Sequence, residues 1–196
     1  MRVGLLYSGG TDSTIAALLL DRFYEVTLVT VHFGVTEDWE RAEEAAAAVG
    51  LPFRDHRLDR SVAEQALDRI LDEGRARSGI DQLHLASLTA LAELGYDAVA
   101  DGTRRDDRVP SVSRAKAQQL ERDHDIDYLA PLSGFGRRAV DRLVDRYLDV
   151  EIGPSATIDR PDYETVLRAL CAERDDIENP ESIFPFRNQT AVIGLQ

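Results

Sequence analysis

Short apolar runs alternate with longer amphipathic stretches along most of this chain, and that alternation admits few architectures beyond a parallel sheet with helical crossovers. Candidate strands, by length and by branched or aromatic content, are "RVGLLY" (2–7), "EVTLVTVHF" (25–33), a weaker "PFRDHRL" (52–58), "DAVADG" (97–102) and "DYLAPL" (127–132). The expectation is an α/β domain of three layers, α/β/α, around a parallel five-stranded sheet. In such a sheet the loops after strands one, two and four should meet at the carboxyl edge, where ligands bind.

The helical patterns between the strands are "TDSTIAALLLDRF", "TEDWERAEEAAAAVG", a long segment over 61–94, "SVSRAKAQQLERDH" and "GRRAVDRLVDRYLD". The long segment is expected to be two helices, broken where Gly74 and Gly79 bracket "RARS", because glycine is costly inside a helix. After about residue 153 the pattern changes to "GPSATIDRP", a helix "DYETVLRALCAERD" and a proline-spaced end, "NPESIFPFRNQTAVIGL". Residues 1–153 therefore read as the domain, and 154–196 as an appendage packed on it.

The turn after the first strand, "SGGTDST", concentrates chemistry. Gly9 and Gly10 allow the main chain to approach a ligand closely. Ser8, Thr11, Ser13 and Thr14 add hydroxyls beside the free N–H groups of a helix start, an arrangement suited to phosphate oxygens. A capped turn is the competing reading, with Thr11 or Asp12 as N-cap. It does not account for two glycines, four hydroxyls and an acid within seven positions. The pattern matches neither GxxxxGK[ST] nor GxGxxG, so the P-loop NTPase and dinucleotide fingerprints do not apply.

"SGGTDS" instead resembles the SGGxDS signature of the PP-loop ATP pyrophosphatase superfamily, in which ATP is cut between its α- and β-phosphates and AMP passes to a substrate oxygen. The resemblance implies the adenine nucleotide alpha hydrolase-like (HUP) fold over 1–153, with ATP held by Ser8, Gly9, Gly10, Thr11, Asp12, Ser13 and Thr14. "DAVADGTRRDD" looks like the G-[TS]-x-x-D-D segment of several branches, which adds Gly102 and Thr103 beside the nucleotide and Asp106 and Asp107 as carboxylates. "LAPLSGFGRRAVDRLV" is similar to the PL…K-x-E-V segment, with Arg137 in the place of the lysine that reaches the phosphates. An arginine can clamp phosphate with its planar fork, but Ala139 replaces the motif's glutamate. The tail stretches "PDYETVLRAL" and "FRNQTAVIG" resemble archaeal asparagine-synthase-like members of the superfamily.

Cleavage to AMP and pyrophosphate loads charge on the leaving group, so Mg2+ is expected, held by Asp12, Asp106 and Asp107 directly or through water. Asp12 and Arg137 are the catalytic candidates. His32 ends the second strand and would touch adenine or substrate, against the more ordinary reading of a structural histidine. His56, His84 and His124 have no metal-ligand spacing. Arg104, Arg105 and Arg108 form a basic cluster that either holds an anion or pairs with nearby acids. Cys171, at helical spacing from Val166, Leu167 and Leu170, reads as a buried small hydrophobe, with a sulfur carrier as the minority reading.

The net charge of −13, with Lys116 the one lysine among 23 basic residues, has two readings: an acidic enzyme that repels nucleic acid, or a carboxylate surface adapted to a salt-rich cytoplasm. The halophilic reading is the simpler, because at molar salt the Debye length is only about 3 Å and net charge decides little about partners. A charged n-region followed by an apolar h-region is not seen after Met1, so a cytoplasmic protein is expected, and no apolar run approaches the ~20 residues of a membrane span. One cysteine excludes internal disulfides and CxxC chemistry.

Three functions compete. The first is adenylation of an acceptor oxygen, on a small molecule or tRNA, for attack by a nitrogen nucleophile supplied as ammonia or by a partner protein. The second is sulfur transfer to tRNA or a cofactor precursor with an external sulfur donor. The third is a non-catalytic nucleotide-binding protein like the universal stress proteins, whose GxxGxxxxG pattern is not found here. Oligomeric state is left open, a homodimer included.

Overall fold

The first strand, β1 (Arg2–Leu6), carries fully buried Val3 and Leu5, and it occupies the middle of a five-stranded parallel sheet. In the computed structural model, which describes residues 1–154, 158, 160–175, 177, 180–185 and 188–196, β1 pairs on one side with β2 (Glu25–His32) and on the other with β4 (Ala98–Ala100). β3 (Phe53–Arg57) and β5 (Asp127–Leu129) form the edges, in the order β3-β2-β1-β4-β5. Burial explains the sequence pattern. The inner strands are near-continuous apolar runs, while edge strand β3 is the polar "FRDHR".

Helices cover both faces. α1 (Thr11–Leu20), α2 (Trp39–Val49) and α6 (Arg137–Tyr147) share one core with β1, β2 and β4, built from Leu5, Ile15, Leu28, Ala46 and Val140 among others. α4 (Ala76–Ala92) and α5 (Arg114–His124) cover the opposite face through Leu88, Leu91 and Leu120, packed on Val29 and Val99. α3 (Arg60–Glu73) and α7 (Tyr163–Ala172) pack with α4 in a third cluster around Leu67, Leu83 and Leu167, and the short α8 (Pro180–Ile183) follows. The α/β fold with a five-stranded parallel sheet expected from the sequence is the fold observed.

Two expectations change. The break in the long helical segment lies at Gly74 alone, whose φ of 65° closes α3. Gly79 sits inside α4 and is buried, because a Cβ there would lie 2.5 Å from the Ala66 carbonyl oxygen; it is a close-packing residue and does not break the helix. The proline-spaced end also contains a strand that its sequence pattern does not predict. β6 (Leu148–Pro154) and β7 (Asn188–Leu195) pair antiparallel, and β7 packs on α1 and α2. Residues 155–157 and 159 of "GPSATIDRP", 176 and 178 just after the helix α7, and 179 and 186–187 of "NPESIFPFR" lie outside the described residues.

Candidate nucleotide site

The chain order places β1 and β4 side by side although four helices and two strands separate them in sequence, so the crevice beyond their carboxyl ends is a topological switch point. Beyond β1 the chain turns at Gly9, whose φ of 69° suits glycine, and its carbonyl oxygen accepts the N–H of Val192 from β7 at 3.0 Å. Gly10 is the N-cap of α1 and has no side chain to satisfy the first-turn N–H groups. Neither Thr11 nor Asp12 caps the helix. The turn is an open helix start lined with hydroxyls, the feature that favours anions.

Ser8 and Ser13 face each other across the turn with their oxygens 3.5 Å apart, and Ser13 Oγ also donates to the Gly10 carbonyl at 3.1 Å. Thr11 Oγ1 lies 3.3 Å from Thr190 Oγ1 of β7. Thr14 differs from expectation. Fully buried, it donates to the Gly10 carbonyl at 2.9 Å and meets the Tyr7 hydroxyl at 3.0 Å, so it shapes the turn from within and offers no hydroxyl to a ligand. Burial holds the Tyr7 hydroxyl protonated, its pKa pushed up to about 12 despite the bond to Thr14.

β4 meets this turn directly. A Cβ on Gly102 would lie 2.8 Å from both the nitrogen and the Cα of Ser13, so only glycine lets the two strand ends close. Just before it, Asp101 is 1% exposed and surrounded by donors. Its Oδ1 accepts the Thr103 N–H at 2.9 Å and the Thr103 hydroxyl at 2.6 Å; its Oδ2 accepts the Tyr128 hydroxyl at 2.8 Å and lies 2.8 Å from His84 Nε2. Burial alone would raise the Asp101 pKa, yet the His84 contact and the Thr103 bonds outweigh it and leave the carboxyl below its usual range. His84 Nδ1 in turn lies 3.2 Å from the Tyr163 hydroxyl. This buried network ties α4, β5 and α7 to the end of β4, and it spends the Thr103 hydroxyl on fixing the Gly102 turn.

Arg104 stands between the three carboxylates expected to hold metal. Its Nη1 bonds Asp12 Oδ2 at 2.5 Å, its Nη2 bonds Asp107 Oδ1 at 2.5 Å, and its Nε lies 3.2 Å from Asp106 Oδ1. The side chain is 10% exposed. Among the described residues no group of three or more His, Cys, Asp or Glu is arranged to hold a metal. The residues present therefore do not fit a Mg2+ ion caged by Asp12, Asp106 and Asp107, because a guanidinium already takes the place of the cation. Burial pushes the Asp12 carboxyl up, more than Arg104 pulls it down. Asp106 also accepts the backbone N–H of Arg137 at 2.8 Å, a bond that lowers its pKa and fastens the loop to the start of α6. The Arg137 side chain is largely exposed at the mouth, 3.0 Å from Asp141.

Two adjoining cavities result. One of about 270 Å³ is lined by Leu6, Thr30, Val31, His84, Gly102 and Tyr163 among others. The second, about 210 Å³, is bounded by Gly10, Thr11, Arg104, Arg137 and residues 188–190. Ser8, Asp12, Ser13 and Arg160 belong to both. A wider groove of about 690 Å³ runs along α3 and α4, and none of its lining residues comes from the loops after β1 or β4.

His32 lies outside both cavities. It is drawn toward β3 and α2, with Nε2 3.4 Å from Asp55 and its ring stacked on Trp39 at 5.6 Å, and its neighbours Thr30 and Val31 represent β2 at the site. Ser8, Gly9, Gly10, Thr11, Asp12, Ser13, Gly102, Thr103, Asp106, Asp107 and Arg137 do come together around the first turn of α1. Sequence reasoning missed Asp101, His84, Tyr163 and Arg160. An acid closing the buried run "AVAD" was a signal for Asp101; nothing local marked the other three.

The fold is that of a parallel α/β protein with its crevice beyond β1 and β4, and comparison with known proteins places the chain among relatives. Residues 1–194 match the family of unknown function DUF7411, and the chain belongs to that family. An uncharacterized protein of Methanocaldococcus jannaschii is 39% identical over 197 residues, which covers 100% of this chain and 97% of the relative. A crystal structure from the same organism, described as a predicted subunit of tRNA methyltransferase, superposes with a TM-score of 0.93 at 38% identity, over 100% of this chain and 98% of the other. The U34-tRNA thiolase NcsA of Methanococcus maripaludis, solved with its [4Fe-4S] cluster, shares the fold at a TM-score of 0.51 and 17% identity, over 74% of this chain and 56% of that one. A 77-residue stretch, 37% of this chain, is 44% identical to 21% of the tRNA-specific 2-thiouridylase MnmA 1 of Bacteroides fragilis. No helix among the described residues is long and apolar enough to cross a membrane.

Proposed function

We propose that the protein is a PP-loop enzyme that binds ATP across the two adjoining cavities, cleaves it to AMP and pyrophosphate, and adenylates an oxygen of an acceptor. The observation that carries this reading is the contact of Gly102 with the first turn of α1: it brings the open helix start, Ser8 and Ser13 opposite Arg104 and Arg137. The nucleoside half fits the larger cavity and the pyrophosphate the smaller. In the reaction the acceptor oxygen attacks the α-phosphorus, the bond from that phosphorus to the bridging oxygen breaks, and pyrophosphate leaves with the bonding pair. The turn's N–H groups and the arginines stabilise the charge that builds on the leaving group, and Asp12 aims Arg104.

Relatives named for tRNA modification favour tRNA as the acceptor class. The nucleophile that displaces AMP is nitrogen or, in a second reading favoured by the two thiolation relatives, sulfur. Cys171, on α7 and in the cluster α7 shares with α3, is 0% exposed, so sulfur would come from another molecule. Protein incubated with ATP, Mg2+ and total tRNA should release AMP and pyrophosphate, faster with tRNA than without. ADP and phosphate as the sole products would refute the reaction, and equal rates with and without tRNA would refute the acceptor.

A further inference from the structure

Resting on the nucleotide reading above, we infer that Arg160, delivered by the segment between β6 and α7, binds the phosphates at the junction of the two cavities. It is one of four residues that line both, and its Nη1 lies 2.6 Å from where a Cβ on Gly10 would sit. The second glycine of the turn therefore has a reason beyond backbone freedom: it leaves space for this guanidinium beside the helix start.

Charge compensation separates Arg160 from the other two arginines. Arg104 is held by three carboxylates, and Arg137 pairs with Asp141 in solvent. Arg160 has a long 3.5 Å contact to Asp162 and a 3.2 Å bond from Nη1 to the Thr190 carbonyl, while its buried Nε has no partner. Asp162 is itself committed elsewhere. Its Oδ1 accepts the Thr165 N–H at 2.8 Å as the N-cap of α7, and its Oδ2 accepts Gln189 Nε2. A guanidinium 21% exposed, lining both cavities and incompletely paired by protein groups, is compensated when an anion enters. Bidentate contact with phosphate oxygens is what that fork does best.

The test is calorimetric titration of the full chain with pyrophosphate, with ATP as a second probe and melting curves alongside. Arg160→Gln should weaken pyrophosphate by about 10-fold or more, the scale of losing one charge-assisted contact, with the melting temperature little changed. Asp162→Asn keeps an N-cap and removes the competing carboxylate, so pyrophosphate should bind at least as tightly as in wild type. Arg138→Gln, on the exposed face of α6, should bind as wild type does. Undiminished binding by Arg160→Gln overturns the assignment of Arg160 alone, as does equal weakening in Arg160→Gln and Asp162→Asn, which would mark Arg160 as a tether for the tail. Wild-type protein that takes up neither probe overturns the nucleotide reading itself and this inference with it.

Discussion

Arg104 Nη1 lies 2.5 Å from Asp12 Oδ2, a contact between the loop after β4 and the first turn of α1, 92 residues apart. It couples the two strand ends through charge where Gly102 and Ser13 couple them through shape.

Loss of that charge should reduce turnover more than stability. Asp12→Asn leaves Arg104 with Asp106 and Asp107, so stability should fall by about 1 kcal/mol or less, while AMP formation should fall on the order of 10²-fold, as for one preorganised electrostatic group. Melting curves and AMP assays on the same preparations check this, and an unchanged rate with a lowered melting temperature would reduce Asp12 to a structural ion pair.

Gly102→Ala should be worse for the fold than a surface glycine. The new methyl meets backbone atoms of α1 at 2.8 Å, and overpacking of that kind costs roughly 1–3 kcal/mol. Gly134→Ala, where nothing lies within 4 Å of the added carbon, should melt like wild type. Denaturant titration of the pair decides it.

Acid should expose the Asp101 network. Its carboxyl is held below its ordinary value when folded, so the folded state binds that proton less tightly than the unfolded chain. The associated stability is complete above the unfolded value of about 3.9 and is lost as pH falls through the lower folded value. Asp12, raised by burial, acts with the opposite sign and gains stability as it protonates. Asp101→Asn should therefore be less stable than wild type at neutral pH, and the gap between the two melting curves should narrow below about pH 4. A gap that stays constant to low pH would show that the carboxyl is not the group responsible.

Cys171→Ala should cost on the order of 1 kcal/mol, the scale of trimming one buried group, and leave both AMP formation and any sulfur transfer intact. Transfer abolished in a folded Cys171→Ala protein would restore the sulfur-carrier reading.

The inner strands were legible as apolar or branched runs bounded by turn residues, edge strand β3 only weakly because "FRDHR" is polar, and the meeting of the loops after β1 and β4 followed from topology. β6 was hidden because "LDVEI" continues from the charged repeat of α6 without a breaker, and a 3.6-residue pattern overran a period-two one. β7 was hidden by the prolines before it. Gly79 misled because a glycine chosen for contact with Ala66 looks, in sequence, like one chosen to stop a helix. Tyr163 reaches the site through the tertiary packing of α7, Arg160 from just before that helix and His84 from α4, so no local spacing advertised them.

The bond from the Val192 N–H to the Gly9 carbonyl also has a consequence in time. A ribosome adds about 5–20 residues each second, so a loop written within the first ten residues waits on the order of ten seconds for the strand that braces it. Over that interval the nascent chain can already collapse β1, β2 and β3 into a partial sheet, yet its anion turn stays unbraced. On the nucleotide reading proposed above, capture would wait for chains translated through β7, and a premature stop upstream of that strand would leave the turn without its brace.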